Sequence, residues 1–552
     1  MSKTTACAFA FSTIVALLLS PLIVTVSYAQ YGGTPKHFGP YPNYATSQLP
    51  TLLPDGSVVP GTGIRKFVDA LPLLGTPGVY DPLTQYIPVA VPDKTTYLGS
   101  DYYEIAVVEY YQQMHSDLAP TRLRGYVQLW TPVLGGLGIP GIPLTNLNGT
   151  SATPILLPNG TQALGVDIPR YLGPVIVAEK DTPVRVKFYN LLPTGTGGNL
   201  FIPVDTTVMG SGMGPMMGEN YTQNRATLHL HGGRTPWISD GTVHQWTTPA
   251  GEDTVYPKGV SVYNVPDMGD PGDGAMTFYY TNQQSARLMF YHDHSYGITR
   301  LNVYAGEAAG YILRDLVEQA LIAAAIIPVD EIPLVIQDRT FVPSLDQLAW
   351  QDPTWNVNRW GGPGGLWYPH VYMTMQNPGD PSGMNQFGRW HYGPWFWPPT
   401  VVEHGPVLNP NYVPGNPMEP QWLPGVPEIS APGEAFMDTP VINGIAYPYL
   451  NVEPKAYRFR ILNAADDRFF NLQLYVAPTG IVSRIKIDNP GSGYTKAPTV
   501  TILDTTGPGY GATASATIDP ISGAVTAIDL ITVGSNYGAT STATVTIGPP
   551  PV

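Results

Sequence analysis

The chain is predicted to be an all-β protein with long loops. Three observations predict this: Gly and Pro each occur 59 times, Tyr is abundant at 34 among recurring Val, Ile and Thr, and few segments carry a 3.6-residue apolar period. At 552 residues the chain exceeds one typical core, so two or three domains are expected.

The elements follow in order. Residues 1–29 read as a signal peptide: Lys3 gives a small positive start, Ala8 to Val26 is almost wholly apolar, and Ser27-Tyr28-Ala29 ends in a small residue. An uncleaved membrane anchor is the alternative. Residues 30–64 form an irregular arm rich in Pro, Gly and Tyr. A first domain spans 65–327. In it Tyr102 to Tyr110 reads as a strand, and Val175-Ile176-Val177 and Val184 to Phe188 as a further pair, with an insert between them from Leu134 to about Arg170. Val184 to Phe188 alternates as a half-buried strand does. Leu316 to Ile327 is the one convincing helix. A second domain covers 328–481, with strands at Ile332 to Asp338, Pro440 to Ile442 and Tyr457 to Leu462. A stretch at about 343–430 interrupts it, holding eight of the eleven Trp amid Pro and Gly, and is expected to pack over a sheet or line a cleft. Residues 482–552 turn to Thr, Ala, Gly, Ile and Val and contain a faint repeat. In each copy a turn (Gly491 to Tyr494, Gly534 to Tyr537) leads to a strand (Thr499 to Ile502, Thr544 to Ile547).

Charge narrows the function. Charged residues are only 12% and the formal net charge is −14, which argues against nucleic acid and anionic membrane surfaces as partners. The only cysteine is Cys7, inside the leader, so the mature chain holds neither a disulfide nor a copper–thiolate bond. Asn-x-Thr triplets at Asn148, Asn159 and Asn220 matter only in a glycosylating source.

The chemistry-bearing residues are two His-x-His pairs, His229-Leu230-His231 and His292-Asp293-His294. Side chains at i and i+2 of a strand share a face, so each pair presents two imidazoles together. Imidazole suits copper, zinc, iron and nickel. Asp293 would point away from the metal. Met209, Met213, Met216 and Met217 lie in a Gly-rich loop before the first pair. Thioethers suit Cu(I), and an adaptable loop without metal is the plainer reading. His370, His391 and His404, at irregular spacings in the Trp-rich stretch, read as loop histidines, and His244 fits no ligand motif.

Two segments resemble the copper motifs of multicopper oxidases. Thr227 to Gly233 followed by Ser239-Asp240-Gly241 resembles the first, and Phe290 to His294 running through Thr299 to Gly306 resembles the second. The branch most similar is the bacterial spore-coat laccase and bilirubin oxidase group, supported by Lys66 to Pro72, Tyr111 to Leu118, Ile332 to Arg339 and Pro440 to Leu474. The resemblance implies tandem cupredoxin-like Greek-key β-sandwiches, with the C-terminal β-repeat as an insertion into the second. It implies type 2 and type 3 copper as cofactor, with His229 on the type 2 ion and His231, His292 and His294 on the type 3 pair. It also implies that Asp240 handles protons near the cluster, and that a phenolic or metal-ion reductant and dioxygen are the substrates.

The sequence departs from the family after the second motif. The His-x-x-His-x-His and His-Cys-His motifs of the third domain, which carry the other four cluster ligands and the type 1 site, are absent from these residues. The chain therefore resembles the front half of such an oxidase. Either the rest lies on polypeptide outside this sequence, or a second chain supplies it, or the protein is degenerate. The competing function is a non-catalytic exported cupredoxin-like protein with weak or no copper binding.

Overall fold

In the computed structural model, described residues are 47–51, 59, 62–75, 83–146, 153–206, 208–351, 355–368, 437–466, 468–474 and most of 480–547, with short pieces at 407–408, 412, 414 and 421–423. The leader, nearly all of the arm and most of the Trp-rich stretch lie outside them. Contacts divide the chain into two units, 1–48 with 66–469 and 49–65 with 470–552.

The first unit begins with an eight-stranded sandwich. Its strands are β1 (Asp101–Gln112), β2 (Thr121–Gln128), β3 (Leu172–Glu179), β4 (Val184–Asn190), β5 (His229–His231), β6 (Ala275–Tyr280), β7 (Arg287–His292) and β8 (Ala308–Arg314). One sheet runs β6-β4-β1-β2 and the other β3-β8-β7-β5. Alternate residues of both sheets fill one core: Ile105 and Val107 of β1, Val186 and Phe188 of β4, Leu230 of β5, Tyr291 of β7, and Ala309 and Tyr311 of β8. β4 alternates strictly between core and half-buried positions, whereas β1, central in its sheet, is buried along nearly its whole length.

The two strands expected as a pair, at Val175 and Val184, are not partners. β3 runs parallel to β8 and β4 parallel to β1, so the short connection between them crosses from one sheet to the other. This crossing is a Greek-key feature, and the architecture is that of a cupredoxin-like β-sandwich.

Helices are also more numerous than the sequence suggested. Among the described residues α1 (Pro132–Gly136), α2 (Thr299–Ala305), α3 (Leu316–Ala323), α4 (Leu345–Gln351) and α5 (Val357–Trp360) are all short. The predicted helix from Leu316 stops at Ala323, where Ala324 caps it and Ala325 takes a left-handed φ of 54°. Asp315 caps its start by accepting from the Glu318 N–H at 2.7 Å.

A further sheet in the same unit, order β11-β10-β9-β12, comprises β9 (Glu331–Arg339), β10 (Thr439–Ile442), β11 (Ile445–Ala446) and β12 (Arg458–Asn463). Buried Arg339 ties it to the sandwich by donating to the Tyr171 hydroxyl at 2.7 Å, and that hydroxyl donates to Gln337 Oε1 at 2.7 Å. Of the Trp-rich stretch, the described part packs Trp355, Trp360 and Trp367 with Val342 and Leu348.

The second unit holds β13 (Val500–Asp504), β14 (Tyr510–Ile518), β15 (Val525–Ser535) and β16 (Ala543–Ile547). β14 and β15 form an antiparallel hairpin, and β13 pairs antiparallel with β16. The strands of the two repeat copies are thus each other's partners, Ile502 facing Val545.

Candidate metal centre

His229, His231 and His292 lie on the second sheet's outer face, opposite the side that carries Leu230 and Tyr291 into the core. β5 and β7 are antiparallel neighbours, with His229 across from His292 and Phe290 across from His231. Two motifs far apart in sequence are brought together by this register. The Phe290 ring stacks on both His231 (5.0 Å between centroids) and His292 (4.8 Å), which limits the tilt of each imidazole.

The structure gathers His229, His231 and His292 most tightly, one ligand nitrogen of each falling within 4.8 Å of the others. His294 differs from its expected setting. β7 ends at His292, so His294 stands on the following turn rather than on the strand. Its ring nevertheless lies beside the group, with its centroid 4.7 Å from that of His229 and 5.8 Å from that of His292.

Hydrogen bonds to main-chain carbonyls select which nitrogens face outward. His229 Nδ1 donates to the Asp240 carbonyl at 2.5 Å, and His292 Nδ1 donates to the Asp293 carbonyl at 2.6 Å. Each therefore presents a bare Nε2. His231 Nδ1 lies 3.1 Å from His292 Nε2, close to the spacing of two nitrogens each held ~2 Å from one ion. His294 Nδ1 is buried with no partner among the described residues. This donor set fits copper, and equally the other imidazole-binding metals.

The site also disfavours protons on the ligands. Burial, reinforced by neighbouring imidazoles, pushes His292 down to about 3. Burial and then the His229 ring lower His231 and His294. Neutral imidazoles bind metal without first losing a proton.

Asp240 sits half-buried at the end of a short 3-10 turn, Trp237–Ser239. Its carboxylate accepts from Thr235 Oγ1 at 2.8 Å and lies 3.9 Å from His229 Nδ1. The carbonyl contact to His229 was not legible in the sequence. It depends on Gly241, whose φ is +67° and where an added Cβ would stand 1.9 Å from the Leu228 carbonyl oxygen. Asp293 turns to the other side, although β7 ends one residue before it. Its buried carboxylate accepts from Thr227 N–H (3.0 Å), Ser295 N–H (2.9 Å), Ser295 Oγ (2.7 Å) and Asn302 Nδ2 (3.0 Å). Sequence reasoning missed Glu307, a fully buried acid immediately before β8; its signal was an acidic residue opening an apolar run.

The other candidates fall elsewhere. The loop methionines Met209, Met213, Met216 and Met217 are all exposed. The His244 ring packs against Tyr296 at 4.9 Å. His370, His391 and His404 lie outside the described residues. Among those described, no helix is long and apolar enough to cross a membrane.

A cupredoxin-like sandwich with three clustered imidazoles on paired strands and a fourth just beyond them forms a candidate metal centre. Comparison places it further. The chain is 30% identical over 414 residues to the laccase of Bacillus subtilis (strain 168), a match covering 74% of this chain and 52% of that protein. It is 26% identical over 440 residues to the laccase of Haloferax volcanii (78% and 48%) and 27% identical over 240 residues to the bilirubin oxidase of Albifimbria verrucaria (43% and 28%). A solved laccase from Pediococcus acidilactici aligns with TM-score 0.33 at 17% identity, covering 73% of this chain and 52% of that one. No family model matches the chain. Over about three quarters of its length the chain is similar to proteins of the multicopper oxidase family. It spans about half the length of the curated relatives it matches first.

Proposed function

We propose that this chain is the copper-binding front portion of an exported oxidase. The oxidase couples one-electron oxidation of a phenolic or metal-ion reductant to reduction of dioxygen to water. The observation that carries the reading is the convergence of His229, His231 and His292 nitrogens within 4.8 Å on paired strands, with His294 alongside. Bound copper would supply the electron acceptance and oxygen reduction.

In this reading His229 Nε2 holds the type 2 ion, and His231 Nδ1, His292 Nε2 and His294 hold the type 3 pair. The Asp240 and Asp293 carbonyls fix the rings so that the stated nitrogens face the metal. The Asp240 carboxylate, partly open to solvent and hydrogen-bonded to Thr235, carries protons toward the site. Four imidazoles are half of the family's cluster set, so the other four come from a further domain or a second chain. The apolar leader at 1–29 supports export, and the domain limits at 65–327 and 328–481, with 482–552 as an insertion, belong to the same reading.

The test is Cu(II) titration of the purified chain followed by electron paramagnetic resonance, beside oxygen uptake with a phenolic reductant by copper-loaded and chelator-stripped protein isolated from its source. Copper binding lost at least about tenfold in His231→Ala/His292→Ala, with oxygen uptake only in the loaded protein, is the expected result. Copper binding indifferent to the double substitution, or loaded protein without oxygen uptake, sinks the reading in favour of a non-catalytic cupredoxin-like role.

A further inference from the structure

The second histidine motif is backed by an acid that the copper reading does not use. Glu307 is fully buried and, among the described residues, neither of its carboxylate oxygens has a hydrogen-bond partner. It shares the side of β8 on which Ala309, Tyr311 and Leu313 face the sandwich core. Its main chain is tied to the motif: the Asp293 N–H donates to the Glu307 carbonyl at 3.2 Å, and the Glu307 N–H donates to the Asn302 carbonyl at 2.9 Å. The Tyr126 hydroxyl lies 3.2 Å from the Thr227 carbonyl and 3.5 Å from the Glu307 carbonyl.

Two further buried oxygens here lack partners, Thr227 Oγ1 and Asn302 Oδ1. Both residues grip Asp293, Thr227 through its N–H and Asn302 through Nδ2. Unpartnered buried oxygens grouped around one carboxylate call for an internal water, which satisfies several such groups at once.

Among the described residues no charged side chain hydrogen-bonds to the Glu307 carboxyl. Arg124 spends its donors on Glu109 Oε1 (2.9 Å) and on the Gln223 (2.9 Å) and Gly198 (2.6 Å) carbonyls. Arg225 spends its own on the Thr222, Tyr296 and Gly210 carbonyls. Burial and then the Asp293 carboxylate raise Glu307 well above the usual carboxylate range; Arg124 opposes this and Glu109 adds to it. The Asp293 carboxylate accepts four hydrogen bonds, whereas Glu307 accepts none among the described residues.

We propose that Glu307 is a positioning residue for the histidine site: as a neutral acid sharing an internal water with Thr227 and Asn302, it braces the Asp293 turn that sets His292 against His294. That turn serves both rings. The Asp293 carbonyl orients His292, and its carboxylate holds Ser295 next to His294. The consequence for copper rests on the ligand reading above; the state of Glu307 does not.

The test uses the metal-free chain first. Infrared spectra of wild type and Glu307→Gln from pH 5 to 9 should differ by a protonated carboxyl stretch that persists across the range and is absent in the variant. Nitrogen-15 shifts of the His292 ring should report the Nδ1-protonated tautomer in wild type and Glu307→Gln, and a mixture in Glu307→Leu. Cu(II) affinity should fall at least about tenfold in Glu307→Leu alone. No such carboxyl band, or wild-type His292 shifts in Glu307→Leu, overturns the proposal. If Glu307→Leu does not fold, the infrared band decides. If wild type binds no copper, the copper reading fails, and the infrared and nitrogen-15 results still decide Glu307.

Discussion

The carbonyl oxygen of Asp240, not its carboxylate, is the group that holds His229, accepting from Nδ1 at 2.5 Å while the nearer carboxylate oxygen stays 3.9 Å away. The carbonyl and the carboxylate of this residue can therefore be tested separately. Asp240→Asn keeps the carbonyl and removes the charge. Copper affinity should remain within about threefold of wild type, while oxygen reduction by the complete oxidase slows by at least about tenfold. Isothermal titration and oxygen uptake measure the two effects; unchanged uptake would remove the carboxylate from proton handling.

Gly241 is the residue on which that carbonyl contact depends. Its φ of +67° and the 1.9 Å approach to the Leu228 carbonyl leave no room for a side chain. Gly241→Ala should destabilise the first unit by about 3 kcal/mol or more and weaken copper binding by turning His229. Urea denaturation beside copper titration checks this. A variant as stable as wild type would mean that the turn is not held as described.

The depressed His292 makes the metal-free fold acid-sensitive. The folded value is about 3 against an ordinary 6.5. Below pH 6.5 the unfolded chain takes up a proton that the folded ring refuses, so the stabilisation is full above 6.5 and declines as pH falls toward 3. The loss across this window should reach a few kcal/mol. His292→Gln should flatten this part of the stability–pH curve, and bound copper should suppress uptake of the proton.

Glu307 has the opposite sign. Its folded value is raised, so above the ordinary 4.5 the unfolded chain releases a proton that the fold retains. Wild type should therefore lose stability relative to Glu307→Gln as pH rises from 5 to 8. Thermal melts across that range measure the gap, and parallel curves would show that Glu307 ionises freely.

Local patterns were legible and long-range partnerships were not. The alternation in Val184 to Phe188 announced a strand, and the spacing of each histidine pair announced a shared face for two imidazoles, because both depend on a period of two. Which strands pair depends on contacts distant in sequence. Val175 and Val184, nine positions apart, therefore read as partners although they lie in different sheets. The clustering of His229 with His292 needs the β5–β7 register, which neither motif contains. Asp240 was legible by resemblance as an acid, but its carbonyl contact follows from a turn conformation at Gly241. Glu307 carries its meaning wholly in its burial and its lack of donors, which no local window displays.

The end of β7 at His292 places the four imidazoles on two kinds of support. His229, His231 and His292 rise from hydrogen-bonded strands, whereas His294 lies just beyond, where the Asp293 carboxylate accepts from Ser295. Three rings therefore take their positions from the register of the sheet and the fourth from side-chain hydrogen bonds, so a change at Asp293 should shift His294 while leaving the strand pairing intact.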